Sequence, residues 1–277
     1  MRCTLKSSLF RLFRTKLFIW VIVFALLTGI AAFNNACNND MMQYSLGRPR
    51  FFDTDFLILC MRKIIFIVPF GAAVFSMIFT GSDISSRSIN NKIVTGTPRI
   101  MIFLADTVVA SAATLFSVLL SVVEIFILVK FVPVKEAVVL SSNMVITTLH
   151  AALICIAFTV VFTLLQFFFS NKLFGIVISM FLLPAVMSYP SIVAQVLEQP
   201  YRYSYEDEAT GETVWELNPQ YVGGKARTTL LDSLEINPYY EVLAGEPAGL
   251  ETAVAAGTVI VLSTAAGFIS ISRKEFP

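Results

Sequence analysis

Few side chains in this sequence could do chemistry, and they are far apart. Glu124 stands inside a long apolar run, where an ionisable group is a functional candidate by default. It is equally placed to lean outward and pair with Lys130, at the end of the same run. Asp106, near the start of that run, is expected to meet the membrane surface or Arg99. His150 is the only histidine, and the four cysteines are scattered, so no metal-ligand spacing exists and no metal is expected. His150 reads as a hydrogen-bonded packing residue. Cys37 and Cys60 could both face outside, either bridged or as free thiols. Gly223-Gly224-Lys225 is the nearest approach to a phosphate loop. Pro219 stands where its first glycine must be, and Ala226 where a hydroxyl must hold magnesium. The chain carries no ATP site, no catalytic constellation and no cofactor of its own.

The elements that must position these residues are apolar. The sequence has 277 residues, 56% of them hydrophobic and only 14% charged, with 25 Phe and a mean hydropathy of +0.77. Soluble domains carry about a quarter charged residues, so an ordinary cytosolic enzyme is excluded. Net charge +1 gives no signature of nucleic-acid binding. Six runs are long enough to cross a bilayer: Leu17–Phe33, Ile64–Thr80, Met101–Val129, Met144–Phe169, Leu173–Tyr189 and Leu250–Ile271. Lipid offers backbone groups no partners, so each must be a helix. The third would reach roughly 43 Å and should tilt or project. Pro69 and Pro184 fall within runs and would kink them. The sixth is rich in Ala, Gly, Ser and Thr, as a helix packed closely on others would be. The fold class is therefore an all-α polytopic membrane protein with six transmembrane helices.

Six crossings put both ends on one side. Arg2, Lys6, Arg11, Arg14 and Lys16 precede the first run with no acid among them. Arg87, Lys92, Arg99, Lys172, Arg273 and Lys274 fall on the same side, which makes it cytoplasmic by the positive-inside rule. Asn34-Asn35 after the first run offers no small-residue cleavage exit, so the run reads as a span and not as a signal peptide.

Three segments outside the spans could carry function. Residues 4–16 place Leu5, Leu9, Leu12 and Phe13 on one helical face, with Lys6, Ser7 and Arg14 elsewhere. That is an amphipathic interfacial helix, or a plain basic anchor. Residues 81–99 form a polar loop with Ile84, Ile89, Ile93 and Val94 at roughly helical spacing, and Gly96 and Pro98 stop any helix there. A short helix lying across the membrane face would serve headgroups or a protein partner. Residues 191–248 hold ten acids against Arg202, Lys225 and Arg227. Within them Tyr201, Tyr203 and Tyr205 alternate with polar residues, and Thr213-Val214-Trp215 resumes after Ala209-Thr210-Gly211. That pattern reads as a β-hairpin. The outer acids, Glu206, Asp207 and Glu208 above all, either attract a cationic amphipathic peptide or simply solvate a lid.

The stretch from Phe51 to Ala110 contains Phe75, Gly81, Ser82, Asp83 and Ser86. Ser88-Ile89-Asn90-Asn91-Lys92-Ile93-Val94-Thr95-Gly96 and Arg99 follow. It resembles the permease subunits of type-2 ABC exporters, most of all those of peptide-antibiotic immunity and export in low-GC Gram-positive bacteria. That family runs Gly-Thr-Glu, Asp-Gly-Thr-Ile-Arg-Asn-Lys, Gly-x-Ser-Arg after its second span. Asn218-Pro219-Gln220-Tyr221-Val222-Gly223-Gly224 with Arg227, then Ile236-Asn237-Pro238, is similar to its motif before the last span. Arg273-Lys274-Glu275 is similar to its basic ending. The likeness covers nearly the whole chain. Here Ser86-Arg87-Ser88 stands where Asp-Gly-Thr is usual, which puts Arg87 in the place of a glycine. Asn90 replaces the usual Arg, and Pro98 the usual Ser.

The resemblance implies a multi-pass subunit of a bacterial plasma membrane that dimerises with a second copy or a sister permease. A separate cytoplasmic ATPase, holding Mg-ATP, would dock on the loop between spans two and three. The coupling residues would be Asp83, Ile84, Ser85, Arg87, Ile89, Asn90, Asn91, Lys92, Ile93, Gly96 and Arg99. The cargo would be an antimicrobial peptide or another amphipathic compound, with antibiotic resistance as the outcome. Three other readings compete. A membrane enzyme needs clustered His, Asp or Glu at membrane depth, and only Glu124 is a candidate. A proton-coupled secondary transporter needs paired ionisable residues across several spans or a repeated half, and neither is visible. A membrane sensor or immunity protein would detect an antibiotic at the acidic cap without moving it.

Overall fold

Apolar runs of this length can satisfy their own backbone in lipid only by coiling, and each of the six becomes a helix. The structure, a computed structural model, describes residues 2–45, 54–131, 141–169, 171–206, 213–237 and 250–273. In chain order the elements are α1 (Arg2–Arg14), α2 (Leu17–Ser45), α3 (Thr54–Ser85), α4 (Ser88–Val94), α5 (Arg99–Val129), α6 (Ser142–Phe169) and α7 (Lys172–Leu197). Then come β1 (Arg202–Glu206), β2 (Thr213–Leu217), α8 (Gly224–Ile236) and α9 (Leu250–Arg273). The helices α2, α3, α5, α6, α7 and α9 are long and apolar enough to cross a membrane.

Several helices outrun the apolar runs that define them. α3 starts at Thr54, ahead of Ile64, and continues through Gly81 to Ser85. α7 passes Tyr189 and Pro190 to end at Leu197. Hydropathy marks where a helix is greasy, and helical hydrogen bonding continues until something stops it. Proline stops neither, since both helices run unbroken past Pro69, Pro184 and Pro190.

The centre of the bundle is α3, α5 and α6, which pack on one another pairwise. At one end, Ala36, Leu57, Cys60, Val129, Met144 and Cys155 gather the end of α2 with neighbouring parts of α3, α5 and α6. At the other, Ile84, Ile89, Ile102, Phe103, Phe167 and Ile271 gather α3, α4, α5, α6 and α9. The six helices therefore alternate in direction, and α1 and α4 share one end while the hairpin lies at the other. α9 lays Thr252, Ala256, Gly267 and Ile271 against the bundle. A side chain on Gly267 would come within 2.5 Å of the Phe103 ring, so glycine there permits the close crossing. The opposite face of α9, with Val254, Val261, Leu262 and Ile269, is exposed, as are α2's Ile19, Trp20 and Leu27. Such faces belong against lipid.

Candidate functional site

At the end of the bundle that carries α1 and α4, four charged side chains from four helices meet. Asp83, at the last turn of α3, is ion-paired with Arg11 of α1 and with Lys92 of α4, the latter at 2.7 Å. Asp106 of α5 is fully buried, accepts a hydrogen bond from Ser8 Oγ at 2.9 Å and lies 3.4 Å from the Arg11 guanidinium. Asp106 thus meets α1 inside the protein, whereas its sequence position suggested the membrane surface or Arg99. The Arg11 guanidinium also sits 3.9 Å over the Phe79 ring, a cation–π contact. Two acids and two bases make the cluster neutral. Burial pushes both the Arg11 guanidinium and the Lys92 ammonium below their ordinary pKa values, and Asp106 opposes the shift in each.

The amphipathic pattern of α1 explains why it docks here. Leu5, Leu9 and Leu12 pack on Val21, Phe75, Phe79 and Val109 of α2, α3 and α5. Phe10 and Phe13 point away, with Phe13 edge-on to Phe18. The leucine stripe is therefore buried against protein, and Phe13, expected on that same stripe, lies outside it.

The segment 81–99 divides into buried, partly covered and exposed residues. Asp83, Ile84 and Ile89 are buried, and Ile93 packs against their cluster. Ser85, Arg87, Asn91 and Gly96 are exposed, and Val94 is 86% exposed. Asn90, Lys92 and Arg99 are partly covered. α4 is thus clamped by its inner face and by the Asp83–Lys92 ion pair, and it presents its outer face to solution. Its end is shaped by Gly96 at φ 87°, with Gly96 and Thr97 N–H donating back to Ile93 and Lys92, a glycine-dependent helix stop.

Arg87, which precedes α4, has φ 57°. That left-handed backbone penalises any side chain and suits glycine. Arg87→Gly is expected to raise stability by about 0.5 kcal/mol, the relief being partly offset by glycine's freedom in the unfolded chain. A lower melting temperature for that variant would show instead that the Arg87 side chain contributes more than its backbone costs.

Glu124 lies where α5 crosses α2. Its Oε2 has no hydrogen-bond partner among the described residues, and a side chain on Gly29 would run into its carboxylate. One turn away Ser121 Oγ donates to the Ala25 carbonyl at 2.8 Å. Lys130 is exposed and forms no ion pair with Glu124. His150 contacts the Ile146 carbonyl through Nδ1 at 2.8 Å. Cys37 and Cys60 are not joined by a disulfide, and both lie with one apolar cluster.

A cleft of about 570 Å³ opens beside α3. Its walls come from α2 (Trp20, Phe24) and α7 (Met180, Leu183), and its floor from Gly71 and Val74 of α3. The lining is almost wholly apolar, suited to an aliphatic or aromatic group rather than an ion.

At the opposite end the hairpin forms as its alternation predicts, with Arg202 opposite Leu217 and Glu206 opposite Thr213. Asp207 and Glu208 lie outside the described residues. Glu206 closes the hairpin's last described pair. Tyr203 donates to Glu216 Oε2 at 3.1 Å, and that hydrogen bond holds its phenol above the usual tyrosine value. The cap is tied to α7: Arg227 donates to the Leu197 carbonyl at 2.9 Å and satisfies an orphan helix terminus. Tyr201 and Tyr221 meet edge to face at 5.2 Å, and Asn218 Nδ2 donates to Gln199. The Asn218–Arg227 stretch therefore serves as the anchor of the cap.

Sequence reasoning missed the meeting of Ser8, Arg11, Asp83 and Asp106, because no local spacing links residues that far apart. It also passed over Gln166, which is fully buried within α6. A carboxamide inside an apolar run was a readable signal.

Taken together, six apolar helices with a polar clamp at one end and a small soluble cap at the other define a multi-pass α-helical membrane protein. No protein-family model matches the chain, and no curated protein matches it either.

Proposed function

We propose that this chain is the membrane-spanning permease subunit of an ATP-binding cassette exporter. It works as a dimer, with a second copy or a sister permease, in a bacterial plasma membrane with both termini cytoplasmic. ATP hydrolysis belongs to a separate cytoplasmic ATPase that holds Mg-ATP. The observation that carries this reading is α4: a short helix held rigidly by Asp83–Lys92 and Ile89, with Arg87, Asn91 and Val94 turned outward. A lever must be stiff toward its own bundle and free toward its motor. The motif likeness over residues 51–110 points the same way. The apolar cleft between α2, α3 and α7 suits the greasy part of an amphipathic cargo such as an antimicrobial peptide.

The test is to solubilise the tagged chain from its native membrane in mild detergent and identify what accompanies it. A soluble ATPase with a phosphate loop is expected. Recovery of the chain alone, in several lipids, would overturn the exporter reading and favour a sensor or a secondary transporter built around Glu124.

The acidic cap gives a second prediction. Joint replacement of Glu206 and Glu208 by Gln and Asp207 by Asn is expected to weaken apparent affinity for a cationic cargo several-fold, by removing local attraction. Transport or resistance assays at low and physiological salt would read it, with the larger loss at low salt. Unchanged transport would leave the cap as a solvated lid.

A further inference from the structure

Threonine and serine inside apolar helices usually hide their hydroxyl by donating to the carbonyl one turn back. Thr28, Thr114, Ser117, Thr159 and Thr163 all do so here, at 2.8–3.1 Å. Three buried hydroxyls instead find no partner among the described residues. Ser76 and Thr80 of α3 are fully buried, Thr107 of α5 nearly so, and none of their hydroxyls has a partner among the described residues. Gln166 of α6 is fully buried with both amide atoms unpartnered, and Asp106 keeps Oδ2 unpartnered.

These residues fall on stripes that converge. Ser76, Thr80 and Asp83 lie at i, i+4 and i+7 on α3. Thr107 lies seven residues before Thr114 on α5, and Thr159, Thr163 and Gln166 follow at i, i+4 and i+7 on α6. Such spacings keep each set on one helix face. The faces meet: Thr114 and Thr159 hydroxyls are 2.8 Å apart across α5 and α6. A side chain on Gly175 would come within 2.6 Å of both Gln166 Oε1 and Met77 Sδ, so the amide lies beside the Met77 side chain of α3. The α3 stripe ends at Asp83, in the charge cluster with Arg11 and Lys92.

We propose that α3, α5 and α6 enclose a hydrated polar site, lined by Ser76, Thr80, Thr107 and Gln166 and continuous with the Arg11–Asp83 cluster. Its occupant is a neutral molecule that both donates and accepts hydrogen bonds, namely water. The neighbouring charges cancel, so the site calls for no ion. A buried water needs two to four polar partners, and hydroxyls and a carboxamide supply them in both senses. Left dry, the same atoms would be orphaned at membrane depth, where each is costly. The site stands independently of the exporter reading.

Radiolytic hydroxyl-radical labelling of the full wild-type chain in lipid vesicles tests this. Met77 and Met61 are both fully buried, but only Met77 lies beside Gln166, whereas Met61 sits in the apolar cluster at the other end. Radicals formed from bound water should oxidise the Met77 sulfur at least several-fold faster than that of Met61. Gln166→Leu should bring Met77 down toward the Met61 rate. Equal protection of both methionines in the wild-type chain would overturn the proposal, and so would a Met77 rate indifferent to Gln166→Leu in a folded variant. The wild-type comparison decides alone if that variant does not fold.

Discussion

Asp83→Ala is expected to cost about 3 kcal/mol of unfolding free energy, the lower end of what breaking a buried ion pair costs. The Asp83 side chain is 4% exposed and holds both Arg11 and Lys92. Its loss strands two cations, one of them packed over the Phe79 ring, and leaves Asp106 as the only carboxylate paired with either among the described residues. The lower end of the range applies because Arg11 and Lys92 retain some contact with solvent. Denaturant unfolding of the purified full chain in mild detergent would measure it. The double variant Asp83→Ala with Arg11→Met should recover part of the loss, since it withdraws a stranded charge along with its partner. A loss below about 1 kcal/mol would mean that Asp83 behaves as an ordinary surface ion pair, and α4 would then not be clamped as described.

If the proposed ATPase docks on α4, Val94→Asp combined with Asn91→Asp is expected to weaken its retention on the order of tenfold or more, as loss of a central anchor does. Both residues are exposed on α4. Stability should therefore stay within about 0.5 kcal/mol of the parent. Replacing the whole of Ile84–Ile93 by Gly-Ser would be a poorer test. Ile84 and Ile89 are buried with Phe103 and Phe167, so that change would loosen the bundle as well as the docking face. Pull-down of the proposed ATPase with matched amounts of the folded chain reads the effect. Full retention by the double variant would remove α4 from the docking surface.

The first variant removes a support of α4's inner face, and the second alters its outer face. On the proposed reading, a push on α4 would pass into α3 through Asp83 and into α1 through Arg11. Asp106 lies on the same route, because Arg11 and Ser8 reach it from α1. The N-terminal helix is therefore coupled to the bundle by charge as well as by its leucines.

The sequence by itself determined the six helices, the hairpin and the turn at Gly96, because each follows from local rules. An apolar run must coil in lipid, alternation with a central glycine folds a hairpin, and a left-handed turn favours glycine. It also ruled out a phosphate loop within 219–226 by simple inspection. Only the tertiary structure decided which polar residues face inward. Asp83 and Arg87 stand four residues apart in one polar stretch, yet Asp83 is buried in an ion cluster and Arg87 is in solution on a strained turn. Leu12 and Phe13 are neighbours in one amphipathic pattern, yet one is buried and the other exposed. Periodicity gives a helix its faces but not what each face meets. That depends on helix crossings, and contacts such as Ser8 to Asp106 join residues 98 positions apart, beyond the reach of any local spacing.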